Sequence, residues 1–387
     1  MSATSLRTRR AAAGVLDGVR RVLVVRMDNV GDVVLQTPAL RALRRALPDA
    51  HVTLLASPGG AALAPLLPWV DDVRAVRALW QDASSALPFD PARERALVEE
   101  LAAGDFDAAL ISTSFSQSPH PPAYACYLAG IPIRTGLSAD FAGGVLSHPV
   151  APPPAGGHQA DRMLHLLAGL GVPAAGPQLE LAVPPAAIAA AARLMDAFVV
   201  TGAAAVKGSA GDMARVLDEA GAGLRYAVVA PGASCPSRRW DPERFGAAAA
   251  GIAAETGLPV VVVGSEKERD LADQVLAAAD SPSVVSIAGR TGLPELASVI
   301  GAAELVVTNN SGPLHLADAF RRPTVALFAG TEREAEYAPR SAPLRLLRRP
   351  TPCSPCRAFA CPYSMECLDI PAREVVDAAL ALLPVGV

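Results

Sequence analysis

The stretch RVLVVRMDNVGDVV, residues 21–34, decides the fold class. Its apolar run within residues 21–26 predicts a buried strand. A short polar turn leads into a helical pattern over residues 31–47, which Pro38 breaks or restarts. A strand followed at once by a helix is typical of a parallel α/β sheet, where ligands bind at the carboxyl ends of the strands. Asp32 falls at this edge, in the first turn of the helix.

Asp32 has two interpretations at this point. An acidic side chain in the first turn of a helix is stabilised by the helix dipole and needs no further function. A carboxylate at the ligand-binding edge of a sheet is also a candidate general base. Position alone favours the structural interpretation.

The alternation of strand and helix continues in two series. The first runs through HVTLLAS, DVRAVR and FDAALIST, and the second through YAVVAPGAS, PVVVVGS, SVVSIAG, ELVVTNN and PTVALFAG. We therefore expect an α/β protein with two Rossmann-like, doubly wound parallel-sheet domains facing a cleft. The expected parts are an N-terminal extension at 1–20, a first domain at 21–182, a helical linker at 183–224 with a Gly-rich break at 208–211, a second domain at 225–350, and a Cys-rich segment with a C-terminal helix at 351–387.

Composition excludes several classes of protein. The chain has 387 residues, 51% of them hydrophobic, and a formal net charge of -4. This length suits two domains, and the acidic balance argues against a nucleic-acid-binding protein. A membrane span needs about 20 uninterrupted apolar residues, and the sequence contains no such run. The N-terminus also lacks the apolar core of a signal peptide. We expect a cytoplasmic protein, and peripheral contact with the inner face of the cytoplasmic membrane stays open.

Three further segments follow predicted strands. Residues 231–240, PGASCPSRRW, combine a Gly turn, a hydroxyl and the two guanidinium groups of Arg238 and Arg239, a set that can hold a diphosphate. Residues 308–315, TNNSGPLH, end a strand and begin a helix whose free N–H groups suit phosphate. Residues 264–268, GSEKE, offer a carboxylate to a ribose or base. Each also has a structural explanation: a solvated basic loop, a packed histidine and an acidic helix start.

Motifs of other nucleotide-binding and hydrolytic proteins are missing from the sequence. There is no G-x-G-x-x-G after the first strand and no G-x-x-x-x-G-K-[ST], so a nicotinamide dehydrogenase and a P-loop NTPase are disfavoured. There is also no G-x-S-x-G, which disfavours an α/β-hydrolase.

Four cysteines crowd into residues 353–367 with the spacing C-x2-C-x4-C-x5-C. Four thiolates this close can hold tetrahedral iron or zinc. The candidate ligands of such a structural metal are Cys353, Cys356, Cys361 and Cys367. Reduced free thiols and disulfides remain alternatives.

In order along the chain, these segments resemble glycosyltransferase family 9, the ADP-heptose:lipopolysaccharide heptosyltransferases and their relatives. Residues 22–56 resemble the family's N-terminal signature of strand, Gly-Asp and Thr-Pro-Leu-like helix. Residues 231–245, PGASCPSRRWDPERF, resemble its PGAS…KRW segment, and residues 303–332 its TGPxHLA block. HQADRMLHLLAGLG, residues 158–171, resembles its His-x-x-x-Arg helix. The resemblance spans about residues 21–370.

The resemblance implies a GT-B fold, with the acceptor on the first domain and the nucleotide sugar on the second. It implies inverting transfer that requires no cofactor or catalytic divalent metal. Asp32 then matches the catalytic aspartate, a general base, and Arg26 and Gly31 fall on the acceptor side. The implied donor-side contacts are Ser234, Arg238, Glu266 (with Glu268 as the near alternative), Asn310, Ser311, Gly312 and His315.

The implied donor is ADP-heptose, and the acceptor is the lipopolysaccharide core, another cell-surface glycan or glycolipid, a protein or a natural product. Two donor-side residues depart from the family pattern: Asn310 stands where Asp is usual, and Arg238 replaces Lys, which changes a point charge into a fork. Another nucleotide sugar therefore stays open. A catalytically inactive nucleotide-sugar-binding scaffold and a redox protein built on the cysteines are the alternatives from other classes; retention of Asp32 argues against the scaffold.

Overall fold

The computed structural model of the chain describes residues 14–82, 86–115, 117–141, 143–154, 156–205 and 224–383. Its first half contains a six-stranded sheet in the order β3-β2-β1-β4-β5-β6, in which neighbouring strands pair in parallel. The strands are β1 Arg21–Arg26, β2 His51–Ala56, β3 Asp72–Ala75, β4 Ala108–Ile111, β5 Ile133–Leu137 and β6 His148–Val150.

The second half repeats this topology in a second parallel sheet, ordered β12-β11-β10-β7-β8-β9. Its strands are β7 Ala227–Ala230, β8 Val260–Val262, β9 Val284–Ser286, β10 Leu305–Asn309, β11 Thr324–Leu327 and β12 Leu344–Leu347. In both sheets the chain begins at the centre, moves to one edge and then crosses to the other. The crossover creates a switch point beside β1 and β7, where such folds bind ligands.

Helices connect the strands and cover the sheets, so the central strands are buried on both faces. Val22–Val25 of β1 and Leu305–Val307 of β10 are 0–1% exposed, as expected for continuous apolar runs in parallel sheets. The α-helices span Val30–Val34, Thr37–Ala46, Pro58–Ala61, Pro91–Ala102, His120–Leu128, Gln159–Gly169, Pro185–Ala205, Pro242–Thr256, Arg269–Ala279, Leu293–Ala302, Gly312–Ala319, Glu334–Tyr337 and Ala372–Leu380.

The helical pattern predicted at residues 31–47 consists of two helices. The first ends at Val34 and the second begins at Thr37, with Pro38 in its first turn. Proline is accepted there because the first N–H groups of a helix have no intrahelical acceptor. Among the described residues, no helix is both long and apolar enough to cross a lipid bilayer.

Both sheets fall within the ranges predicted for the two domains. The predicted linker contains the helix Pro185–Ala205, which packs against the helix Leu293–Ala302 of the second domain. Residues 1–13 of the predicted extension and the Gly-rich break at 208–211 lie outside the described residues. The helix Ala372–Leu380 packs on the helix Pro242–Thr256. The domain boundaries themselves stay predictions.

Candidate active site

The carboxyl edges of the two sheets face each other across a deep cleft of about 1160 Å³. Loops that follow strands of both domains line it, so residues far apart in sequence meet there. The predicted site residues that line the cleft are Gly31 and Asp32 from the first domain and Ser234, Arg238, Asn310, Ser311, Gly312 and His315 from the second.

On the first-domain wall, the buried guanidinium of Arg26 contacts two carboxylates. Arg26 is the last residue of β1 and is 1% exposed. Its Nη2 donates to Asp32 Oδ1 at 2.8 Å, and its Nε lies 3.2 Å from Asp28 Oδ2. Asp32 Oδ2 accepts the backbone N–H of Asn29 at 3.2 Å, which closes the first turn of the helix Val30–Val34. Asp32 therefore stabilises the helix and also faces the cleft.

The two walls approach each other closely at Gly31. A Cβ added to Gly31 would lie 2.7 Å from His315 Cδ2 and 3.6 Å from the Cα of Gly312. The helix Val30–Val34 thus packs directly against the N-terminus of the helix Gly312–Ala319 across the cleft. Only glycine leaves room for this approach, which brings Asp32 beside the second-domain residues.

On the second-domain wall, Arg238 pairs with Glu332, a residue that the sequence analysis missed. Arg238 Nη2 lies 2.5 Å from Glu332 Oε1, and its Nε donates to Thr331 Oγ1 at 3.2 Å. Burial raises the pKa of the Glu332 carboxyl, and Arg238 opposes that rise. Glu332 stands five residues after the buried strand β11. A position shortly after a buried strand is also the signal that identified the other site residues.

Asn310 has a local structural reason to be an amide. Its Nδ2 donates to Glu332 Oε2 at 3.2 Å, and its Oδ1 accepts the Ala329 N–H at 3.2 Å. An ionised aspartate could accept the second bond but could not donate the first. The neighbouring carboxylate of Glu332 therefore explains why position 310 carries an amide where the family pattern has Asp.

The helix Gly312–Ala319 directs its N-terminus at the cleft. Ser311 is its N-cap residue and makes no side-chain capping bond, so the first N–H groups of the helix remain available to an anion. His315 is one turn in, and burial lowers its pKa to about 4, which leaves a neutral imidazole at pH 7. Asn309 ties this helix to the loop at residues 231–240: its Nδ2 donates to the Pro231 carbonyl at 2.7 Å, and its Oδ1 accepts the Trp240 N–H at 3.1 Å.

Glu268, rather than Glu266, lies at the cleft. A Cβ added to Gly232 would be 2.0 Å from Glu268 Oε1, so this carboxylate sits directly over the Gly turn. The side chain of Glu266 is 67% exposed and pairs with Arg269 at 2.8 Å. The two glutamates are two positions apart on a 3₁₀ turn and point in different directions. The geometry therefore favours the alternative, Glu268, for a ribose or base contact.

A loop after β11 joins the second domain to the first, and the sequence analysis did not identify it. Tyr337 packs edge-to-face on Phe115 of the first domain, with ring centroids 6.2 Å apart. Arg340 pairs with Asp161 at 2.8 Å. His158 Nδ1 accepts the Ala160 N–H at 3.2 Å, so its Nε2 carries the proton that it donates to the Ala338 carbonyl at 3.1 Å.

Two of the four clustered cysteines, Cys356 and Cys367, lie beside Gly330. The Cys356 N–H donates to the Gly330 carbonyl at 3.1 Å, and the Cβ of Cys367 would be 3.3 Å from a Cβ added to Gly330. All four are free cysteines, which agrees with the free-thiol alternative. Burial raises the pKa of Cys367, and the other three thiols add to that rise.

These thiols do not form a ligand set. Within the described ranges, no group of three or more His, Cys, Asp or Glu side chains is arranged to hold a metal ion. A structural iron or zinc needs four ligands at tetrahedral positions. The arrangement therefore does not support the predicted metal at Cys353, Cys356, Cys361 and Cys367.

Comparison with known proteins supplies the family. A model of glycosyltransferase family 9 (heptosyltransferase) matches residues 94–366. The chain is 34% identical over 122 residues to lipopolysaccharide heptosyltransferase 3 of Escherichia coli, and 32% identical over 159 residues to lipopolysaccharide heptosyltransferase 2 of Escherichia coli K12. These alignments cover 31% and 40% of this chain, and the chain spans only 36% and 45% of the length of those relatives.

Solved structures show the fold. The structure of E. coli ADP-heptose lipopolysaccharide heptosyltransferase II matches with a TM-score of 0.68 at 23% identity, over 94% of this chain and 98% of that one. E. coli heptosyltransferase WaaC with ADP-2-deoxy-2-fluoro heptose matches with a TM-score of 0.60 at 20% identity, over 85% and 93%. The expected GT-B fold is thereby confirmed. Because the family model covers more than half of the chain, this protein belongs to glycosyltransferase family 9.

Proposed function

We propose that this protein is an inverting glycosyltransferase that moves heptose from ADP-heptose to a hydroxyl group of the lipopolysaccharide core or another cell-surface glycan. One observation carries the proposal: the carboxylate of Asp32 lies on one wall of the cleft, and an anion-binding helix N-terminus with Arg238 lies on the other. Transfer from a nucleotide sugar needs both features, a base for the acceptor and fixed positive charge for the diphosphate.

In the proposed reaction, Asp32 is the general base. The acceptor hydroxyl gives its proton to Asp32 as its oxygen attacks the anomeric carbon of the donor. The bond between that carbon and the diphosphate oxygen breaks, and its electron pair leaves with the nucleoside diphosphate. Attack on the face opposite the leaving group inverts the anomeric configuration. Arg26 and the Asn29 N–H hold both oxygens of Asp32 in place for this step.

The leaving diphosphate gains negative charge as the bond breaks. Arg238, the N–H groups at the start of the helix Gly312–Ala319 and the hydroxyls of Ser234 and Ser311 are the groups that this chain offers to that charge. His315 is neutral at pH 7, so it contributes a hydrogen bond rather than a charge. In this proposal these residues, without a cofactor, stabilise the negative charge of the leaving diphosphate.

The identities of the donor and the acceptor are inferred from the relatives. The E. coli proteins that match this chain are named as lipopolysaccharide heptosyltransferases 2 and 3, which favours a heptose donor and a core acceptor. Another nucleotide sugar, or a protein or natural-product acceptor, is compatible with the same cleft. The catalytically inactive scaffold is disfavoured by the paired, cleft-facing Asp32. A cytoplasmic location and contact with the membrane surface remain predictions.

Thermal unfolding of the full chain with ADP, UDP, GDP, CDP, dTDP and ADP-heptose tests the donor. A ligand at 100 times its Kd that binds only the folded state adds about 2.7 kcal/mol of stability. Selective stabilisation by ADP and ADP-heptose, followed by mass-spectrometric detection of heptose on a heptose-free core acceptor, is the expected result. Selective stabilisation by another nucleotide would overturn the donor, and stabilisation by ADP-heptose without transfer to the acceptor would favour the scaffold.

A further inference from the structure

The cluster around Arg26 contains one more carboxylate than the proposed mechanism uses. Arg26 is enclosed by the first domain, and its positive charge is shared between two acids. Its Nη2 faces Asp32 Oδ1 at 2.8 Å, and its Nε faces Asp28 Oδ2 at 3.2 Å. Asp32 is thus one of two carboxyl groups that this guanidinium contacts. Burial raises the pKa of the Asp28 carboxyl, and the charge of Arg26 and the hydrogen bond from Gln117 oppose that rise.

Asp28 is held by side chains from two other segments of the first domain. Gln81 Nε2 and Gln117 Nε2 both donate to its Oδ1, at 2.6 and 2.5 Å. Ser114 Oγ lies between the two acids, 3.4 Å from Asp28 Oδ2 and 3.5 Å from Asp32 Oδ1. The Asp28 side chain is only 8% exposed, so these contacts fix its position.

We propose that Asp28 is a positioning residue that takes up part of the charge of Arg26 and so keeps Asp32 basic enough to accept the proton of the acceptor. This inference rests on the proposed role of Asp32. If Arg26 had Asp32 as its only counter-ion, it would favour the ionised form of Asp32 more strongly. A carboxylate whose ionised form is more stable is a weaker base, and general-base catalysis by it is slower.

Other charged and titratable groups also face this cluster. Tyr337 and Glu332 approach Asp32 from the second domain. Arg162, on the helix Gln159–Gly169, faces Arg26, and His315 packs at Gly31 beside Asp32. All of them are kept when Asp28 alone is changed. A change in the titration of Asp32 between wild type and an Asp28 variant is therefore caused by the change at Asp28.

The test is Asp28→Asn, assayed for transfer from ADP-heptose across pH. This substitution removes the charge but keeps the size, and the amides of Gln81 and Gln117 can rotate to satisfy the new amide. We expect the acid limb of the kcat–pH profile to move to lower pH by about one unit and the plateau of kcat to fall by about tenfold. ADP affinity should stay unchanged, because Asp28 lies on the first-domain wall.

Gln117→Leu is the matched control, because it removes one contact to Asp28 and keeps the carboxylate. Any change in its kcat arises from geometry, and the acid limb should stay at the wild-type pH. If Asp28→Asn lowers kcat and leaves the acid limb where it is in wild type, Asp28 has a structural role only and the proposal is overturned.

A folded Asp28→Asn protein with turnover too low for a profile would be examined by carbon-13 NMR. The carboxyl resonance of Asp32, assigned by its loss in Asp32→Asn, should titrate at lower pH in the Asp28→Asn background, and an unchanged titration would contradict the proposal. The proposed function has a separate criterion. Transfer at wild-type rate by Asp32→Asn would refute the base itself, and the inference about Asp28 would fall with it.

Discussion

Glu332 and Arg238 form an ion pair on the donor wall of the cleft, with 2.5 Å between Oε1 and Nη2. Both side chains are largely buried, and Asn310 fixes the other oxygen of Glu332. The cation expected to bind a diphosphate therefore already has an anionic partner. A bound diphosphate must share Arg238 with this carboxylate or displace it.

Glu332→Gln should consequently tighten ADP binding. The amide keeps a hydrogen bond to Arg238 but removes a buried negative charge beside the diphosphate, worth on the order of 1 kcal/mol, or about fivefold in Kd. Isothermal titration calorimetry measures this directly. Glu334→Gln is the control, since Glu334 pairs with Arg348 at 2.8 Å and is 45% exposed. Weaker ADP binding by Glu332→Gln would show instead that the carboxylate is needed to orient Arg238.

Gly31→Ala should separate the two walls of the cleft. The added methyl group would lie 2.7 Å from His315 Cδ2, so His315 must shift, and because this ring is buried we expect the facing wall to move with it. Since Asp32 and the donor site must meet for transfer, we expect kcat to fall by at least about tenfold. Small-angle scattering should show a larger radius of gyration, with little change in thermal stability.

Gly59→Ala is a matched control for that substitution. Gly59 also lies in a short first-domain helix, and a Cβ there would meet only Ser57 Oγ at 3.9 Å, an ordinary contact. Its radius of gyration should equal that of the wild type. A Gly31→Ala protein with wild-type kcat would mean that the contact with His315 is not needed for transfer.

Asp318→Ala should destabilise the second domain. Asp318 is 1% exposed, and its carboxylate accepts the backbone N–H groups of Arg340, Ser341 and Ala342 at 2.7–3.2 Å. Removal leaves these donors without their acceptor and costs about 3 kcal/mol of unfolding free energy. Denaturant titration followed by circular dichroism gives the value. Asp369→Ala, which removes an ion pair to Arg244 from a 71% exposed side chain, should cost less than about 1 kcal/mol, and equal losses for the two variants would refute the argument.

Stability should fall between about pH 6.5 and pH 4, because burial lowers the pKa of both His158 and His315 to about 4 from an ordinary 6.5. In this window the unfolded chain binds protons that the folded chain does not, so the unfolding free energy decreases as the pH falls. Each histidine contributes at most about 3 kcal/mol, fully present above pH 6.5.

His158→Gln should flatten this pH dependence, because glutamine does not titrate and its amide can serve the Ala338 carbonyl. Unfolding free energies measured at intervals from pH 7 to pH 4 show the slope. His148→Gln, at an exposed position, is the control. An unchanged slope in His158→Gln would show that the titration of other groups causes the loss of stability.

The sequence predicts the sheets well where strands are buried on both faces, as in β1, β7 and β10. It does not predict β5, β6 or β12, which lie towards or at the sheet edges and contain Arg, His, Pro or Gly. A strand near an edge needs fewer apolar residues, so it lacks the continuous run that identifies a central strand.

The same distinction applies to the site. Asp32, Ser311 and His315 are predictable because each stands just after a buried strand, at the edge where ligands bind. Asp28, Glu332 and Tyr337 follow strands too, but their importance depends on how the two sheets face each other. No local pattern carries that information. The choice between Glu266 and Glu268 depends on the direction of one 3₁₀ turn, which spacing alone does not reveal.

Asp32→Asn, assayed for transfer and for ADP binding in the same preparation, tests the central claim most directly. The amide cannot accept a proton from the acceptor hydroxyl, while the donor wall is untouched. Our account predicts that transfer from ADP-heptose falls by about 10²–10⁴-fold, with ADP affinity within about twofold of wild type. Transfer at the wild-type rate with unchanged ADP affinity would contradict the assignment of Asp32 as the general base.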